Sequence, residues 1–176
     1  MSGHNKWSKI KNKKAVTDAA KSKIFSKMAR LISVASREAG GDTSSPALRA
    51  VVEKAREYNM PASNIERAIK KGAGGDNENL ETVTYETYGP GGAALIIEAL
   101  TANRNKAAQE VKFILSQHAL GLATPGSVTW AFVKDGREWR PTTTVALSEE
   151  DEKNLEKLIE ALEENDEVQD VYTNAA

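Results

Sequence analysis

The hydrophobic period of this chain changes once, across the stretch Gly72 to Asn79 (GAGGDNEN), and that change constrains its architecture more than any other feature. Before it, apolar residues recur with the 3.6-residue period of an amphipathic helix; after it, the period falls toward the two of a strand. The stretch itself has the composition of a linker. The spacing therefore predicts two domains, residues 1–75 and 80–176, within a chain of 176 residues that is ample for a hydrophobic core.

In the first part, residues 1 to about 13 lack strong periodicity and read as a basic arm. Ile24, Met28, Leu31, Ile32 and Ala35 then mark a helix from about Thr17 to Ala39, which Gly40-Gly41 stops. A second helix is expected from Ser45-Pro46 to about Asn59, with Leu48, Val51, Val52 and Ala55 inward. After the Met60-Pro61 break, Ser63-Asn64-Ile65-Glu66 fits a capping box, and Lys70-Lys71-Gly72 closes a third helix with cations and glycine. A helix–turn–helix reading of this trio rests on the Met60-Pro61 turn alone.

In the second part, strands are expected at 81–88 and 93–100, joined by the turn Gly89-Pro90-Gly91-Gly92. A helix at 104–118 follows, with Ala107, Val111, Ile114, Leu115 and His118 on one stripe. Strands are next expected at 127–133, with Val128, Trp130 and Phe132 on one face, and at 142–147. A helix from Ser148 carrying Leu155, Leu158, Ile159 and Leu162 precedes a last strand near 167–173. From residue 93 the order is βαββαβ, so the expected fold class is α+β: a basic three-helix domain followed by a ferredoxin-like α/β domain with one extra strand.

A net charge of −1 conceals a sharp division. Through Gly75 there are 16 Lys and Arg against 6 Asp and Glu; the remainder carries 8 against 19. Within the first 30 residues, Lys6, Lys9, Lys11, Lys13, Lys14, Lys21, Lys23, Lys27 and Arg30 face only Asp18. Such asymmetry points to a polyanionic partner, with a solvated basic face as the bland alternative. Arg67, Lys70 and Lys71 add a second basic patch. Trp7, between Lys6 and Lys9, either offers a base-stacking surface or pins the arm to the helical unit. Lysines at such spacings neutralise a phosphate backbone without reading sequence.

Other chemistries find little support. With no cysteine, disulfides, thiolate catalysis, iron–sulfur clusters and zinc knuckles are excluded. Of the two histidines, His4 lies in the basic arm and His118 near a helix C-terminus, where partial burial and the dipole account for it. Glu149-Glu150-Asp151-Glu152 complements a helix N-terminus rather than a metal. Neither glycine cluster leads from a strand into a helix, so neither is a phosphate loop. Asn103-Arg104-Asn105-Lys106 either caps a helix or presents donors to phosphate. No apolar run approaches the roughly 20 residues that span a bilayer. The N-terminus lacks a secretory apolar stretch, and a Lys-rich opening with Asp18 argues against a transit peptide, so the expectation is cytoplasmic.

Several stretches together resemble the YebC family: GHNKWSKIKNKKAVTDAAKSKIFSK, NMPASNIERAIKKGAGG, YGPGGAALIIEALTANRN, TPGSV and LIEALEENDEVQDVYTN. They occur in order and cover nearly the whole chain. The family includes proteins named probable transcriptional regulators and the mitochondrial translational activator of cytochrome c oxidase. The resemblance implies a three-helix N-terminal domain and a ferredoxin-like domain, the latter usually interrupted by a further α/β domain. Here the chain passes from the strand ending near Val133 to that at Thr142 through DGREWRP alone, and so resembles a short form lacking the insert. The resemblance carries nucleic-acid contact onto Lys6, Trp7, Lys9, Lys13, Lys14, Lys23 and Lys27. Its functional implication is divided between DNA-binding regulation of transcription and action on ribosomes through difficult, proline-rich stretches.

These readings converge on a non-enzymatic regulator of gene expression that binds nucleic acid, with ribosomal RNA or the ribosome as the leading target and DNA as the alternative. A third possibility is an interaction module whose basic helices meet an acidic protein surface. No cofactor, metal, membrane or small-molecule substrate is expected.

Overall fold

A computed structural model describes residues 17–75 and 79–176. They form two compact units that meet in the chain between Leu80 and Glu81. The residues of the basic arm, Lys6, Trp7, Lys9, Lys11, Lys13 and Lys14, lie outside the described residues.

The first unit consists of α1 (Asp18–Glu38), α2 (Pro46–Glu57) and α3 (Ala62–Ala73). Thr17 caps α1 by accepting from the Ala20 amide at 3.2 Å, and Asp18 and Arg37 complement its two ends. The helix stops where Gly40 and Gly41 take positive φ, the Gly41 amide returning to the Ser36 carbonyl. Pro46 opens α2 as expected, although Ser45 makes no side-chain cap. The capping box expected at Ser63 is not used: α3 begins two residues earlier, at Ala62, with Pro61 rather than Ser63 as its cap and no side-chain bond. Proline at that position ends the preceding turn and fixes the entry angle, which leaves the serine inside the first turn. Met28, Ile32 and Ala35 pack against Leu48, Val51, Val52 and Ala55 and against Met60, Ile65 and Ala68 to make the core.

The second unit is built on an antiparallel sheet of order β1-β2-β5, from β1 (Glu81–Tyr88), β2 (Ala94–Thr101) and β5 (Val168–Thr173). Every residue of β2 is buried, because both sheet faces are covered. This is why β2 reads as a continuous apolar run rather than an alternation. Leu95 and Ile97 face α4 (Arg104–Gln117) and α5 (Glu149–Glu164), joining Val111, Leu115, Leu155 and Leu158. Ala94 and Ile96 face the other way, onto Val128, Ala131, Phe132 and Tyr172. Asn103 and Ser148 cap the two helices through the amides of Lys106 and Asp151, and Glu149 to Glu152 occupy the first turn of α5.

The middle of this unit departs from the expected pattern. Residues 127–131 are not strand: Thr129–Ala131 is a turn of 3-10 helix, and β3 runs Phe132–Asp135. The carboxylate of Glu86 on β1 accepts from the amides of Gly126, Val128 and Thr129 at 2.6, 3.0 and 3.1 Å, so the donors a strand would use are already taken. Trp130 consequently points outward, 61% exposed, away from Val128 and Phe132. The strand expected at 142–147 lies instead at β4 (Glu138–Pro141), within the segment read as a connection, and only Val145 makes an isolated bridge, to Ala175. Asp135 pairs with Glu138 across Gly136-Arg137, Gly136 holding φ at 60°, which is a two-residue hairpin turn. The order β2-α4-β3-β4-α5-β5 thus stands, with β1 the additional strand beside β2 and β3-β4 a separate sheet.

Glu98 of β2 holds that hairpin down. Its Oε1 accepts from Lys134 Nζ and Trp139 Nε1, both at 2.9 Å, and the Lys134 ammonium stands 4.6 Å from the centroid of the Trp139 ring. A carboxylate otherwise costly to bury is paired and hydrogen-bonded here.

Candidate nucleic-acid interface

The geometry of the basic helices follows from one close crossing. Where α1 meets α3 the side chains are small: Ser33 Oγ donates to the Ala68 carbonyl at 3.1 Å, Ser36 Oγ to the Ile69 carbonyl at 2.7 Å, and Gly72 contributes no side chain at all. With the two backbones this near, residues on either side of the seam form the walls of a single groove of about 340 Å³.

Arg30 and Arg37, two turns apart on α1, line one wall; Arg67 and Lys71, one turn apart on α3, line the other, with Asn64 at the start of the same face. Between them the floor is apolar, made from Phe25, Ala29, Val34, Met60, Ala68 and Leu80. No acidic side chain lines it. Arg37 is held in place by donating from Nη2 to the Leu80 carbonyl at 2.8 Å. A second groove, between α2 and α3, differs in charge: Arg49 and Arg56 there are matched by Glu53 and Glu66. The α1–α3 groove differs from it in having four cationic residues and no acidic residue in its lining.

Of the residues singled out by sequence, the fold brings Arg30, Arg67 and Lys71 together at this groove. Lys21, Lys23 and Lys27 lie on α1 outside its lining, and Lys70 is exposed on α3, also outside it. Arg37 and Asn64 were not anticipated. Arg37 falls on the face of Arg30 by helical spacing, which is the signal that marks it.

In the second unit, Asn103 is occupied as a helix cap, which accounts for it without a ligand. His118 is the half-buried residue that ends α4. Among the described residues, no group of three His, Cys, Asp or Glu is placed to hold a metal ion, and no helix is long and apolar enough to cross a membrane.

Two family models match. One, described as the TACO1/YebC protein N-terminal domain, matches residues 5–75; the other, the TACO1/YebC second and third domain, matches residues 80–138 and 134–175. A probable transcriptional regulatory protein of Fervidobacterium nodosum is 40% identical over 235 aligned positions, covering 99% of this chain and 93% of that relative. A protein of the same description from Finegoldia magna is 54% identical over 77% of this chain and 57% of its own length. A crystal structure of a conserved hypothetical protein from Aquifex aeolicus superposes with a TM-score of 0.78 at 32% identity, covering 90% of this chain and 91% of that one. The alignment of 235 positions exceeds the 176 residues present here, and the two pieces of the second match meet at the β3–β4 hairpin. The residues missing relative to longer proteins therefore fall at a tight turn that closes without them.

Proposed function

The chain belongs to the TACO1/YebC family, and from that premise we propose that it is a non-enzymatic regulator of gene expression that works by binding nucleic acid, with RNA on or near the ribosome as its target. The observation that carries this reading is the convergence of Arg30, Arg37, Arg67 and Lys71 from two helices on one groove without an acidic residue. Cations arranged this way gain affinity for a phosphate backbone chiefly by releasing its counterions. In sequence, the lysines of the N-terminal segment add to the positive charge of this half of the chain. The acidic α/β unit repels phosphate and would set orientation rather than supply affinity. The working compartment in this reading is the cytoplasm.

A second reading, regulation of transcription at DNA, is favoured by the description that the curated relatives carry. Sedimentation of cell lysate at low and moderate salt, with and without ribonuclease, separates the two. The RNA reading expects migration with ribosomal particles that ribonuclease and salt both abolish. A protein that stays at the top of the gradient in every condition overturns it, and retention on ribonuclease-treated chromosomal DNA then favours transcription.

A further inference from the structure

We propose that the α1–α3 groove is built for a single strand of nucleic acid, taking an unpaired base on its apolar floor while the phosphates on either side meet its two cationic walls; the inference rests on the nucleic-acid reading above and narrows it.

The groove has two kinds of surface, and a ligand must satisfy both. Its walls carry Arg30 and Arg37 opposite Arg67 and Lys71, so phosphate is matched on both sides. Its floor is apolar, from half-buried Phe25 and Ala29 down to buried Met60 and Ala68. A duplex presents only phosphate and sugar along its backbone and keeps its base faces stacked inside. Seated here it would press charged oxygens against the floor, which is unfavourable. An unpaired strand can turn a base inward, where Phe25 offers a ring and arginine guanidinium groups offer planar faces for stacking.

An acidic amphipathic helix also combines charge with apolar surface, but the shape disfavours it. The walls converge at the α1–α3 seam, where Ser33 Oγ bonds to the Ala68 carbonyl and both residues line the groove. A helix is roughly 10–12 Å across with its side chains and engages a groove through several anchoring side chains spread over two or more turns, whereas a base is a single planar group. The volume of about 340 Å³ suits one planar group rather than two turns of anchoring side chains.

The test uses the full chain and fluorescence anisotropy with three labelled probes: a short single-stranded RNA, the blunt duplex of the same length, and an acidic amphipathic peptide. Ala29→Phe fills the floor without changing charge, and Ser26→Phe does the same from an exposed position on that wall, so that one variant remains if the other fails to fold by circular dichroism. The single strand is expected to bind about tenfold more tightly than the duplex at matched salt, and floor filling to weaken the single strand about tenfold while leaving the salt slope and duplex binding unchanged. Equal binding of strand and duplex, or floor variants without effect, overturns the inference while leaving nucleic-acid binding intact. Binding of the peptide alone, blocked by floor filling, overturns both in favour of a protein partner. No binding of any probe overturns both outright.

Discussion

Gly72 of α3 lies against the backbone of Ser33 on α1, so close that a Cβ at residue 72 would sit 2.2 Å from the Ser33 carbonyl oxygen and 2.7 Å from the Ser36 Cβ. Backbone cannot swing aside as the end of a long side chain can. The missing side chain is what lets α1 and α3 touch, and the touching helices are what align the two cationic walls. Alanine is the better helix former by about 1 kcal/mol, so an unconstrained position would gain from Gly72→Ala. Here the helices must part instead, and overpacking of that kind costs about 1–3 kcal/mol. Contact at 2.2 Å with backbone puts that cost at the upper end of its range, and with the helix-propensity gain of about 1 kcal/mol subtracted the expected net loss is about 2 kcal/mol, read from urea denaturation of the full chain followed by circular dichroism. A variant as stable as the parent would show that the crossing is looser than described.

The walls of the groove make a prediction that stability does not. Arg67 and Lys71 are exposed, so removing both side chains should leave the fold alone. Each cation that meets a phosphate contributes about 0.7–0.9 to the slope of log affinity against log salt. Arg67→Ala combined with Lys71→Ala is therefore expected to weaken RNA binding and reduce that slope by about 1–2. Lys153→Ala with Lys157→Ala, on exposed positions of α5 in the acidic unit, serves as the charge-matched control and should leave the slope unchanged. Equal effects from the two pairs would mean that only net charge matters.

Glu86 organises the segment from Ala123 to Thr129 through both its backbone and its carboxylate. Its carbonyl accepts from the Ala123 amide at 2.8 Å, and its side chain accepts from three more amides beyond Pro125. Beside it, Tyr88 donates to the Ser127 carbonyl at 2.7 Å and accepts from Trp130 Nε1 at 3.2 Å. Glu86→Ala strands those amides, of which that of buried Val128 cannot turn to water, and a loss of about 2–3 kcal/mol is expected. Glu86→Gln keeps one acceptor, for Val128 and Thr129, but loses the charge and the acceptor for Gly126, for about 1–2 kcal/mol. The ranking is checked by denaturation of the two variants side by side, and tryptophan emission reports whether Trp130 moves. Glutamine as damaging as alanine would contradict the hydrogen-bond account.

The same carboxylate explains where sequence reading stopped. The three helices, β1, β2, α4, α5 and β5 each carry a local signal, a period or a cap, that burial then respects. The alternation of Val128, Trp130 and Phe132 is also a strand signal, but it is overruled by a residue some forty positions away that consumes the backbone donors. Nothing within the segment announces that. The β3–β4 hairpin is a different case, since Asp135-Gly136 is itself a turn signal and was obscured by reading DGREWRP as a connection. At the interface, Arg30, Arg67 and Lys71 were legible as charge. Their assembly with Arg37 around one groove depends on the Gly72–Ser33 approach, a tertiary fact that composition does not carry.

Alkaline pH should unfold the α/β unit through Tyr172. Its side chain is buried against Ala94, Ile96 and Phe132, and its hydroxyl lies among carboxylates. Burial above all, then the nearby charges of Asp170, Glu98 and Glu138, push its pKa far above the usual tyrosine range. Tyr85 is raised in the same direction by burial, partly offset by Arg104, and Lys106 is raised by its hydrogen bond to Glu167 at 3.0 Å. A raised folded-state pKa means that, above the unfolded value, the native state holds a proton the unfolded chain has released. Stability is then fully present below about pH 10 and falls as pH rises beyond it. Tyr172→Phe removes the ionisable hydroxyl while keeping the ring, and with it a long hydrogen bond to the Arg137 carbonyl at 3.5 Å and a hydrogen bond to the Asp170 carboxylate. The substitution should cost about 1 kcal/mol near neutrality and flatten the decline of the urea midpoint between about pH 10 and 11.5, the residual slope belonging to Tyr85, Lys106 and net charge. Parallel declines in the parent and the variant would place the alkaline sensitivity elsewhere.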